Sequence, residues 1–170
     1  MPTDERSDTP ESWDERSILL QMLDYTRRTA LVKCEGLSDA DARRAVLPTS
    51  PLMTMSGVVS HLRWVEWSWL HVRFLGEPDA GPWTEEEPDR EFTYRLDGPL
   101  SVVLDDYVAM AKEHDALIAA WDLDQVAAGS FTHGRHPTLR WILMPLVEEN
   151  ARHNGHLDVM REILDGVRGD

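Results

Sequence analysis

Basic charge is scarce in this 170-residue chain: 17 lysines and arginines stand against 31 acidic residues, a formal net charge of −14. Lysine itself is nearly missing, with only Lys33 and Lys112. Phosphate backbones and anionic lipid headgroups are held by clustered cations, so neither nucleic acid nor a membrane surface is an expected partner. Cysteine is equally sparse. The single Cys34 excludes an internal disulfide and any cysteine-based zinc knuckle. No apolar run approaches the ~20 residues of a membrane span. The opening Met-Pro-Thr-Asp-Glu-Arg lacks the apolar stretch of a signal peptide. Strand-like alternation is rare and no internal repeat is visible. With 42% hydrophobic residues, the expectation is a soluble, cytoplasmic protein with a sizeable core.

What is present is helical periodicity. Residues 1–12 are polar and read as a mobile lead-in, followed by a single domain over 13–170. From Trp13 to about Cys34, apolar residues such as Ile18, Met22, Leu23 and Leu31 recur at helical spacing. Ser38 and Asp41 open a short helical turn, and Pro48 and Pro51 then break regular structure. A second long helix is predicted from Thr54, its N-cap, to Leu75, with Gly76 ending it. A loop over 77–97, with an extended piece near Phe92–Leu96, leads to a third helix from about Pro99 to Trp121. The loop over 122–137 holds His133 and His136, and a fourth helix runs from about Thr138 to Leu164. Long amphipathic helices joined by long loops imply an all-α four-helix bundle.

The fourth helix carries the chemistry. At ~100° per residue, Ile142, Leu146, Met160 and Ile163 share an inward sector, and Glu149, His153 and His156 fall in its middle. An unpaired carboxylate there would cost several kcal/mol, so something must compensate it. A divalent cation would do so. Glu149 and His153 lie one turn apart, and His61 belongs to an inward stripe of the second helix with Val58 and Val65. Two imidazoles, one carboxylate and a vacant position suit catalytic zinc and equally a non-haem iron site. The competing reading is a purely polar network, with Glu149 paired to His153 or to an arginine such as Arg27 or Arg63. His156 is then an orienting partner, or the third ligand in place of Glu149. A ferritin-like dinuclear site is disfavoured, because no Glu-x-x-His occurs in the chain. Pro145, one turn before Glu149, is expected to kink the helix and could re-aim the carboxylate.

His61 in Ser-Gly-Val-Val-Ser-His-Leu, with Leu-Val-Glu-Glu-Asn-Ala-Arg-His-Asn-Gly-His-Leu-Asp-Val-Met-Arg-Glu-Ile-Leu-Asp-Gly near the end, resembles the DinB/YfiT superfamily. Within it the chain resembles an actinobacterial branch related to mycothiol-dependent maleylpyruvate isomerase. The resemblance implies a bundle holding one divalent metal, zinc above all with nickel or iron as alternatives, on His61, Glu149 and His153. It also implies a low-molecular-weight thiol cosubstrate such as mycothiol, a small electrophilic substrate and a homodimer. The activity implied is metal-dependent thiol transfer or isomerisation. The alternative is a non-catalytic dimeric bundle, or a small-molecule-binding stress protein, with a structural polar network at the same place.

Overall fold

The computed structural model describes residues 6–169, and the first part of the expected lead-in, 1–5, lies outside them. Among the described residues the regular elements are helices, joined by loops, and no strand occurs. α1 spans Glu15–Cys34, α2 is the short Asp39–Ala42, and α3 runs over Met55–Trp67. α4 spans Leu100–Ala119 and α5 Leu139–Asp165. The four long helices form the expected bundle, with α1 against α5 and α3 against both α4 and α5.

Local chemistry sets the helix ends. Asp14, Thr54 and Thr138 each accept a hydrogen bond from the backbone N–H three residues on, satisfying a donor that the first turn leaves free. The bond from the Ser17 N–H, with those from the Ser17 and Ser12 hydroxyls, draws the Asp14 carboxyl down to about 2. α4 has no side-chain cap of its own, and the Leu100 N–H instead donates to Asp39 Oδ1 of α2 at 2.8 Å. Gly166 ends α5 in the left-handed region at φ 80°.

Several expectations change on the structure. Beyond Trp67 the second helix continues as a π-helical stretch, Ser68–Phe74. The extended piece predicted near Phe92–Leu96 is absent; Arg90–Phe92 forms a 3₁₀ turn instead. Ile163 is 52% exposed, and Arg161 takes the inward position, donating to the carbonyls of Lys33 and Glu35 at the end of α1. α5 runs through Pro145 without a break.

The core falls into two apolar clusters, one around Ala30, Leu62, Met110 and Leu157, the other around Leu23, Leu70, Ile118 and Leu146. On each long helix a polar residue separates them: Arg27, Glu66, His114 and Asn150. Glu66 is fully buried, takes a bidentate contact from Arg27 and accepts from His114 Nδ1 at 2.8 Å. Arg27 also reaches Asp115 at 2.7 Å, and Tyr107 donates to Asn150 at 2.7 Å. Burial alone would push the Glu66 carboxyl up, but the charge of Arg27 and the bond from His114 outweigh it and hold it below the usual range. The apolar clusters thus sandwich a buried ionic layer.

Gly57 decides how the loop over 77–97 meets this scaffold. A Cβ there would lie 2.7 Å from the Leu52 carbonyl and 2.9 Å from that of Phe92. Glycine therefore lets the 3₁₀ turn press against the start of α3, where Ser60 Oγ donates to the Glu91 carbonyl at 2.6 Å. Gly57→Ala should cost about 1–3 kcal/mol by overpacking and push the turn outward. An unchanged unfolding midpoint would contradict this.

Candidate metal centre

His61 of α3 and the pair Glu149 and His153 of α5 converge, with one donor atom from each lying within 4.8 Å of the others. Glu149 Oε1 sits 3.1 Å from His61 Nε2 and 3.2 Å from His153 Nε2. The imidazole centroids are 4.8 Å apart and their planes inclined by 58°. All three side chains are largely removed from solvent. Hydrogen bonding from His153, then from His61, holds the Glu149 carboxyl well below the usual carboxylate range, against the opposing effect of burial.

The outer edge of each ring is also engaged. His61 Nδ1 faces Glu91 Oε1 at 3.4 Å, and Phe92 stacks on the ring at 4.2 Å. His153 Nδ1 faces His156 Nδ1 at 3.4 Å. Burial first, and the adjacent His153 second, push the His156 imidazole below its ordinary value. His156 thus stands behind His153 rather than among the converging donor atoms.

This arrangement tests whether the residues suit a cation. A neutral imidazole carries one N–H and one lone pair. His61 meets a carboxylate at both ring nitrogens and, while neutral, can donate to only one of them. A cation among the three donors removes the conflict. With such an ion held there, His61 would donate Nδ1–H to Glu91, the Nε2 lone pairs of His61 and His153 would be free for the ion, and Glu149 would balance part of its charge. Two imidazole nitrogens and one carboxylate, with outer partners on both rings, form a donor set that fits a divalent ion.

The arginine pairing weighed for Glu149 does not occur, since Arg27 is committed to Glu66 and Asp115, and Arg63 to Asp106 at 3.0 Å. Nor has Pro145 turned the carboxylate aside. Sequence reasoning missed Glu91 and Phe92, which lie in a loop without periodicity. It also missed Glu66 and His114, although each sits four residues from buried apolar residues on both sides, a pattern visible in the sequence. Trp64 meets Trp67, Trp83 and Tyr94 edge-on and anchors the long loop. His133 and His136 sit in an exposed loop. Cys34 is buried and desolvation raises its thiol to about 12, which makes it a poor nucleophile.

No described helix is long and apolar enough to cross a membrane. Among curated proteins no sequence matches this one. The family described as Mycothiol-S-transferase matches residues 18–166, nearly the whole chain. The chain therefore belongs to the mycothiol S-transferase family, a DinB/YfiT-like group related to mycothiol enzymes.

Proposed function

We propose that the protein transfers a low-molecular-weight thiol of the mycothiol type onto a small electrophilic substrate, with His61, Glu149 and His153 holding a divalent metal. Zinc suits the donor set best, and nickel or iron are the alternatives. When bound, such an ion lowers the pKa of a thiol that reaches its open position. The residues of the chain supply the rest. Glu91 fixes the tautomer of His61, His156 faces the outer nitrogen of His153, and Phe92 covers one face of the His61 ring. The transfer forms one carbon–sulfur bond, the thiol proton leaves to solvent, and the electrophile releases its leaving group or takes up a proton.

The observation that supports this reading is the position of Glu149 Oε1 between two imidazole Nε2 atoms, each with a partner behind it. Family membership supplies the thiol. The same proposal places the protein in the cytoplasm, where small thiols stay reduced. It treats residues 13–170 as one domain and the assembly as a homodimer, which light scattering on the purified protein would test. Glu91→Gln should weaken zinc binding about 10–100-fold, as loss of an outer partner commonly does. Affinity measured by competition with a chromophoric chelator would reveal it, and an unaltered affinity would remove Glu91 from the account.

A further inference from the structure

A second pair of imidazoles lies toward the other end of α3. His71 belongs to the π-helical stretch and His114 to α4; their ring centroids are 5.3 Å apart with planes inclined by 47°. A carboxylate grips each ring at Nδ1, Glu77 Oε2 at 2.8 Å from His71 and Glu66 Oε1 at 2.8 Å from His114. A carboxylate only accepts, so each neutral ring donates from Nδ1 and keeps its lone pair on Nε2. Both Nε2 atoms are sealed from solvent, and neither finds a hydrogen-bond partner among the described residues. Two buried acceptors near one another with no donor are an unstable arrangement unless something positive joins them.

The surrounding charge favours a cation. Glu66 and Asp115 share the one guanidinium of Arg27, and the Glu77 carboxylate adds a further negative charge at His71. Carboxylate–histidine pairs of this kind are how metal-binding imidazoles are usually oriented. The spacing agrees as well. With zinc–nitrogen bonds of about 2.0–2.1 Å in tetrahedral geometry, two imidazole centroids on one ion lie about 5 Å apart. The observed 5.3 Å is close to that value and to the 4.8 Å between His61 and His153. Trp67 stacks on the His71 ring, and the Glu77 N–H donates to the His71 carbonyl at 3.0 Å, folding the chain back beneath the ring. π-helical turns of this kind are frequent at functional sites.

We propose that His71 and His114 bind, through their Nε2 atoms, a second divalent first-row cation that ties the π-helical end of α3 to α4. The test uses the full chain carrying His61→Ala and His153→Ala, stripped with chelator and titrated with zinc by calorimetry. One equivalent of zinc should still bind. Adding His71→Phe should abolish that binding. Adding Glu77→Gln, at a half-exposed side chain whose loss leaves the core intact, should weaken it about 10–100-fold. Replacing His133 and His136 by alanine should leave it unchanged. The proposal is overturned if the doubly substituted chain binds no zinc, if Glu77→Gln leaves the affinity unaltered, or if binding is lost with His133 and His136 instead.

Discussion

Replacing Glu66 with alanine should lower the unfolding free energy by about 3–5 kcal/mol, the usual consequence of removing one partner of a buried ion pair. The carboxylate is wholly enclosed and is shared between Arg27 and His114, so its loss leaves a guanidinium that is only 3% exposed with no partner but Asp115, itself more than half exposed. For a chain of this size each kcal/mol moves the unfolding midpoint by about 2–4 °C, so the drop should be roughly 10 °C. Replacing Arg27 and Glu66 together by apolar residues should cost less than Glu66→Ala alone, because no charge is then stranded. A loss below about 1 kcal/mol for the single variant would show that the layer is not ionised.

The same residue gives a pH dependence whose sign is fixed. The folded-state pKa of Glu66 is depressed, so its contribution is fully present above the ordinary carboxylate pKa of about 4.3. It is lost as pH falls through the lower folded value. Stability should therefore be flat with respect to this group from pH 5 upward and fall in acid, and Glu66→Ala should have a shallower acid limb than the parent.

His153→Ala should reduce thiol transfer more than about 100-fold, exceeding the 10–100-fold typical for outer partners of a metal site. His153 is 7% exposed and bonded to Glu149, so a structural role would also damage the protein, and activity alone does not separate the two. His153→Cys does. Cysteine is itself a zinc ligand, and partial recovery of bound metal and of transfer would mark the position as a ligand. In a purely structural network cysteine offers no such recovery. Equal failure of both variants, with helicity intact, would favour the structural reading.

Much of the scaffold is written in local signals. Thr54, Thr138 and Gly166 mark helix ends by capping chemistry that acts over a few residues, and the structure places the ends there. Glu149 and His153 are one turn apart, so their juxtaposition follows from helix geometry alone. Longer-range features were less legible. Glu91 reaches His61 only because Gly57 admits the 3₁₀ turn against α3, a contact between segments with no shared periodicity. Glu66 and His114 look like isolated polar interruptions until four helices are set in register and the interruptions meet in one layer. Pro145 could have re-aimed Glu149, but the turn it weakens lies on the rim of the bundle, next to the exposed Met144, while Ile142, Leu143 and Leu146 pack on the core side.

The most direct test of the central claim, that His61, Glu149 and His153 hold one divalent ion, is elemental analysis of the chain purified without chelator. The parent should contain one equivalent of metal more than His61→Ala and one more than His153→Ala, with His133→Ala matching the parent. Identical metal content in all four proteins would contradict the account, and would leave the conflict at His61 resolved by a proton rather than by a cation.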